Sequence, residues 1–234
     1  TVLVTINAIN SETGIRQPIE KIGEILKKYP KVIFHSDVTQ AIGKINIDLT
    51  NVDLASFSAH KFFGIKGIGA LIKKKNIELE PLIHGGKSTT IYRSGTPATS
   101  LIVSMAKALR LAYEDLEVEK IKNLNEKIKS HLEKYPNVYI NSPKDAIPHI
   151  LNISVIGVKP ETILHALEED EIYISTQSAC ATSNISKAIK TLTNDDQRAK
   201  SSLRISISKK TTEDEINLFL QSFNKNYQRL VVKK

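Results

Sequence analysis

Two polar clusters end short apolar runs in the first part of the chain, Phe34-His35-Ser36-Asp37-Val38-Thr39-Gln40 and, further on, Ser56-Phe57-Ser58-Ala59-His60-Lys61. A lysine in a confined, poorly hydrated setting favours its neutral amine, which can condense with a carbonyl, and Lys61 ahead of Phe62-Phe63 is a candidate for that setting. A carboxylate facing it, here Asp37, can keep a pyridine-type nitrogen protonated and so make an aromatic cofactor an electron sink. A third reactive group is Cys180, within the polar, small-residue stretch Ser175-Thr176-Gln177-Ser178-Ala179-Cys180-Ala181-Thr182-Ser183-Asn184. Such a loop leaves a thiol accessible, and a nearby helix start favours the thiolate. Taken singly, Asp37 also suits a helix cap, Lys61 a surface lysine, His60 a hydrogen-bonded loop residue and Cys180 a buried thiol. Only their combination points to chemistry.

The elements that must position these groups alternate. Val2–Asn7 reads as a strand, Ile19, Ile22, Ile25, Leu26 and Tyr29 fall at helical spacing, and Val32–Phe34 is a second strand. Leu54–Phe57 and Gly69–Ile72 follow as strands around the glycine-rich turn Gly64-Ile-Lys-Gly-Ile-Gly69. This pattern predicts a mostly parallel sheet covered by helices, with both polar clusters at carboxyl ends of strands, where open α/β sheets place ligands. From Ser100 to about Tyr135 the spacing predicts a long helical connector, with Leu101, Met105, Leu109 and Tyr113 and then Ile121, Leu124, Ile128 and Leu132 on its apolar side. Beyond it, strands are expected at Val138–Ile140, Ile150–Val155, Ile172–Ser175 and Leu203–Ile207, with helices near 161–169, 184–192 and 212–230. The last opens with Thr212 and Glu215 in capping-box spacing.

Bulk properties narrow the function classes. The 234 residues, 41% of them hydrophobic, can bury an ordinary globular core. The formal charge of +8 is spread over helical faces without aromatic interleaving, which speaks against direct nucleic-acid binding, while leaving a basic surface for an acidic protein partner. A single cysteine excludes an internal disulfide and a multi-cysteine metal cluster, and no metal is expected. No apolar run approaches the ~20 residues of a membrane span, so no membrane association and a cytoplasmic location are expected. The opening Thr1-Val-Leu-Val-Thr-Ile lacks a methionine and already reads as a buried strand, as though the chain began inside a larger protein.

In order and spacing, Phe34–Lys44, Ser56–Lys61, Gly64–Gly69, Leu82-Ile-His-Gly-Gly86, Arg93-Ser-Gly-Thr96, Ser178-Ala-Cys180 and Ser202-Leu-Arg204-Ile-Ser206 resemble the cysteine desulfurases of the aminotransferase class V group over essentially the whole chain. The resemblance implies a fold-type I pyridoxal 5'-phosphate enzyme. Residues 1–115 would be a partial cofactor-binding large domain, and 116–234 a small C-terminal α+β domain carrying the nucleophilic cysteine. It further implies that Lys61 forms the Schiff base with the cofactor, Asp37 pairs with the ring nitrogen, Gln40 reaches the ring hydroxyl, and Ser58 and His60 hold the phosphate. Thr96 would reach the phosphate of the other subunit in a homodimer, and Arg204 would pair with the carboxylate of the L-cysteine substrate. Cys180 would take the sulfur as a persulfide, release alanine and pass the sulfur to an acceptor protein, such as an iron–sulfur scaffold or a thiolation enzyme. Two departures stand out: Ser11 occupies a position where the family usually has a cofactor- or substrate-contacting asparagine, and the family's phosphate loop and ring-stacking histidine have no counterpart in these residues. A non-catalytic fragment or subunit of this fold, a selenocysteine lyase and another class V lyase are the alternatives.

Overall fold

The computed structural model describes residues 1–86, 90–176 and 185–232. The chain divides into two compact units, Thr1–Ile9 with Gln17–Leu116 and Asn10–Arg16 with Glu117–Lys234. The short loop 10–16 thus belongs to the second unit although both its flanks belong to the first.

In the first unit, β1 (Leu3–Asn7), β2 (Ile33–Asp37) and β3 (Leu54–Ser58) run parallel, and β4 (Gly69–Lys73) adds antiparallel to β3. The sheet order is β1-β2-β3-β4. Side-chain alternation sorts its faces: Phe34, Ala55 and Phe57 are buried, whereas Thr5, Asn7, His35, Asp37, Ser56 and Ser58 share a face that is half-buried or exposed. Across that polar face, Thr5 Oγ1 lies 2.6 Å from His35 Nδ1 and His35 Nε2 lies 3.0 Å from Ser56 Oγ. Helix α1 (Ile19–Leu26) buries Ile19 and Gly23, and a Cβ on Gly23 would come within 2.5 Å of Asn51.

The expected long connector is two helices, α2 (Thr99–Glu114) and α3 (Val118–Leu132), one in each unit. The physical reason lies in the spacing. The stripe Leu101, Met105, Leu109, Tyr113 would next require an apolar residue at 117, where Glu117 stands with a left-handed φ of 45° as the N-cap of α3.

The second unit is built on the antiparallel sheet β5-β6-β7, with β5 (Val138–Ile140), β6 (Ile150–Val155) and β7 (Ser202–Ser206). All six residues of β6 are buried. Ile121, Ile128 and Leu132 of α3, Leu167 of α4 (Pro160–Glu168) and Phe219 and Phe223 of α7 (Glu213–Tyr227) close over Leu151, Ile153 and Leu203 in one hydrophobic core. Each such side chain contributes on the order of 1.5–3 kcal/mol by burial. Two short helices, α5 (Lys187–Thr193) and α6 (Asp196–Lys200), precede β7. The second of these went unanticipated, and its signal is the N-cap Asp195, whose side chain accepts from Gln197 and Arg198 amides. The strand expected at Ile172–Ser175 reduces to one bridge, Ser175 to Arg204, because Glu171 turns the chain with a φ of 58°. The capping box of Thr212 and Glu215 forms as its spacing predicts. Among the described residues, no helix is long and apolar enough to cross a membrane.

Candidate active site

The register of the parallel strands sets Asn7 beside Asp37 and Asp37 beside Ser56, so β1, β2 and β3 present their carboxyl ends together. Asp37 is the last residue of β2 and is exposed; one carboxylate oxygen accepts the Thr39 amide at 2.9 Å, which fixes the turn that follows. Gln40 lies in that turn, with its side-chain oxygen accepting from the Lys44 ammonium. On the neighbouring strand Ser58 is the last residue of β3 and leads into a single 3₁₀ turn, Ala59–Phe62.

That turn decides where the lysine goes. Ala59 and Phe62, three apart and on one side, are buried, and Phe62 packs on Phe57 with ring centroids 5.9 Å apart. His60 and Lys61, between them, are directed outward and exposed. The confined setting expected for Lys61 from the two phenylalanines is therefore absent from this unit: Phe62 takes the core position, while Phe63 closes the turn with a left-handed φ of 66° and is 55% exposed. Gly43 is required on the inner side, since with a φ of +72° it passes so close to Phe62 that a Cβ would sit 2.7 Å from the Phe62 Cβ. Thr96 is exposed in the loop between Gly95 and Pro97 ahead of α2, on a separate segment from the strand ends.

A second cluster lies wholly in the second unit. Arg204, in the middle of β7, donates from Nη1 to the Ser11 carbonyl at 3.2 Å and from Nη2 to Ser175 Oγ at 3.3 Å. Among the described residues its Nε is buried without a hydrogen-bond partner. Burial lowers the pKa of the guanidinium, and the Glu12 carboxylate works in the opposite direction. Ser11 reaches Arg204 through its backbone, not its hydroxyl. The loop carrying it is rigidly built: Asn10 Oδ1 accepts from the Glu12 and Thr13 amides and from Thr13 Oγ1, Ser142 Oγ donates to the Thr13 carbonyl at 2.6 Å, and Gly14 takes a φ of +75° against Ile150. Cys180 lies outside the described residues. Sequence reasoning singled out Arg204 but missed Glu12, Ser175 and Ser186. The Asn10–Gly14 turn, with a side-chain acceptor followed by glycine, was the available signal.

Residues 1–219 match the aminotransferase class-V family. The chain belongs to that family. It is 41% identical over 238 residues to a NifS/IcsS protein homolog of Lactobacillus delbrueckii subsp. bulgaricus, a match covering 97% of this chain and 62% of that protein. It is 39% identical over 231 residues to the cysteine desulfurase IscS of Clostridium botulinum, covering 94% of this chain and 58% of that one. A solved NifS-like protein superposes with a TM-score of 0.90 at 34% identity, covering 98% of this chain and 62% of its own. The chain therefore spans about three fifths of the length of the relatives it matches. Fold-type I architecture follows from that superposition, and the parallel run β1-β2-β3 is its visible part.

Members of this class V family use pyridoxal phosphate. The donor set at the strand ends suits that group. Asp37 at the end of β2 pairs in register with Ser56, and β3 ends two residues on at Ser58 and leads into the turn that carries the exposed His60 and Lys61, so a carboxylate, a hydroxyl, an imidazole and an amine follow the carboxyl ends of adjacent strands.

Proposed function

We propose that this chain is the cofactor- and cysteine-bearing portion of a pyridoxal-phosphate-dependent cysteine desulfurase. The observation that carries the reading is the pairing of Asp37 and the Lys61 turn at the carboxyl ends of adjacent parallel strands. Bound pyridoxal phosphate supplies an electron sink for the bonds around the substrate α-carbon. Asp37 would hold the ring nitrogen protonated, Gln40 would meet the ring hydroxyl, and Ser58 and His60 would hold the phosphate, with Thr96 serving the partner subunit of a homodimer. Lys61 would hold the group through its amine and would serve as the base that moves a proton at the substrate α-carbon. Arg204 would meet the substrate carboxylate with the planar donor pair of its guanidinium.

The Cys180 thiolate then attacks the substrate sulfur. A sulfur–sulfur bond would form on Cys180 as the carbon–sulfur bond breaks, the electron pair of that bond would stay with the substrate carbon and be quenched by a proton, and alanine would leave. The persulfide's outer sulfur passes to a thiol on an acceptor protein. Leu3 is 51% exposed, Leu71 50% and Ile72 47%, so both edge strands of the first sheet present apolar side chains to their surroundings. This supports cofactor binding that is weak in the 234-residue chain alone and strong in the whole gene product. Alanine release from L-cysteine by that gene product tests the reading. Lys61→Ala should abolish both the visible cofactor absorption and alanine release, and Cys180→Ala should keep the absorption while abolishing release. Undiminished cysteine turnover by Cys180→Ala would instead favour another class V lyase.

A further inference from the structure

Arg204 has a neighbour to which the reaction assigns no task. Glu12 lies in the rigid Asn10–Gly14 turn, whose next residue back, Ser11, accepts from Arg204 through its carbonyl. The Glu12 carboxylate does not swing freely: Oε2 accepts the Ser186 hydroxyl at 2.6 Å. Ser186 is itself 2% exposed and is the N-cap of α5, its Oγ also accepting the Ile189 amide at 3.1 Å. One hydroxyl therefore donates to Glu12 and accepts from the helix, so turning the carboxylate away would leave the buried Ser186 proton without its acceptor and loosen the hold on the cap. On the other side of Arg204, Ser175 is fixed by two backbone hydrogen bonds to β7 and by the Nη2 contact. Ser175 and Ser186 flank in sequence the stretch that contains Cys180, so both flanks are tied to the Arg204–Glu12 pair.

A fixed anion beside a guanidinium competes with an incoming carboxylate for the same positive charge. We propose that Glu12, held by Ser186, is a positioning residue that sets how strongly Arg204 grips the substrate carboxylate. The inference rests on the role given to Arg204 above. Arg204 Nη1 meets the Ser11 carbonyl at 3.2 Å, one peptide link from Glu12, so the guanidinium touches the turn that carries the carboxylate in a partly buried site, where the carboxylate opposes the lowering of the guanidinium pKa by burial. At an effective dielectric of about 20, a single charge at such range changes an equilibrium by roughly three- to tenfold after solvent screening.

The test compares Glu12→Gln with wild type in the whole gene product, using L-cysteine and L-cysteine amide, which lacks the carboxylate. Glutamine keeps an oxygen for the Ser186 hydroxyl and removes only the charge. The expected result is a rise of roughly three- to tenfold in the kcat/KM preference for cysteine over the amide, carried by KM. Hydrogen exchange at the Ile189 amide, which needs no turnover, should be unchanged in Glu12→Gln and faster in Glu12→Ala. A wild type that distinguishes the two substrates, together with a Glu12→Gln preference that is unchanged or reduced, would overturn the inference alone. A wild type that treats the two substrates alike would overturn the role of Arg204 and the inference with it. Ile189 exchange accelerated as much by Gln as by Ala would reduce Glu12 to a structural cap.

Discussion

The two units bury their sheets differently. In the second, β6 is covered on every residue, and α3, α4 and α7 supply a core whose largest members are fully enclosed. In the first, one sheet face is buried while the other carries Thr5, His35 and Asp37 half in solvent, and α2 buries only Ala112 while leaving Val103 61% exposed. The lesson is a division of labour: the second unit holds its residues by its own packing, whereas the first offers a chemically furnished sheet edge that depends on what else covers it. Marginal folding energies make that difference measurable.

The contrast breaks most visibly in the cores. Ile153→Ala in β6 should destabilise the second unit by about 2–5 kcal/mol, read as an earlier denaturant midpoint for probes in that unit, whereas Val103→Ser on α2 should shift the 234-residue chain by no more than about 0.5 kcal/mol. Equal losses would mean that the first unit is as self-sufficient as the second. Gly43→Ala, which forces a left-handed side chain against Phe62, should cost the first unit about 1–3 kcal/mol. Because Phe62 neighbours Lys61, the same variant should weaken cofactor absorption if Lys61 has the role proposed above. Thr212→Ala removes the capping box of α7 and should cost the second unit about 1 kcal/mol by thermal unfolding.

The smallest effect is a pH dependence confined to the second unit. Burial, with help from Lys134, lowers the pKa of His131 below its ordinary 6.5. The folded state therefore resists protonation that the unfolded chain accepts. The stabilisation is complete above pH 6.5 and is lost as the pH falls through the folded value. Thermal midpoints between pH 7 and 5 should decline for the wild type and flatten in His131→Asn, and a parallel decline in the variant would assign the effect elsewhere.

Much of this arrangement was legible in the sequence because it depends on local period and on residues that end strands. Phe34–Gln40 and Ser56–Lys61 fall where alternation stops, and the strands end at Asp37 and Ser58. What stayed hidden depends on distant partners. Nothing local shows that Glu12 would meet Ser186, a separation of 174 residues, or that Phe62 would occupy the core and leave Lys61 outside. Spacing also misled at Ile172–Ser175, where one residue pairs because Glu171 bends the chain first. The break between α2 and α3 was readable in hindsight at Glu117, the polar residue in an apolar stripe.

The loop 10–16 leaves the first unit and returns to it, and its contacts are made with chain that is synthesised much later. Ser142 reaches Thr13 across 129 residues. At about 5–20 residues per second on a ribosome, Asn10–Arg16 would wait roughly six to twenty-six seconds for the strands that receive them. During that interval β1 and α1, which flank the loop, can already pair and pack, so the second unit must close around a segment whose two ends are already held. Its final assembly is therefore a capture of an early, tethered loop by late sequence, and a nascent-chain arrest placed before Ser142 emerges would leave that loop open to proteolysis.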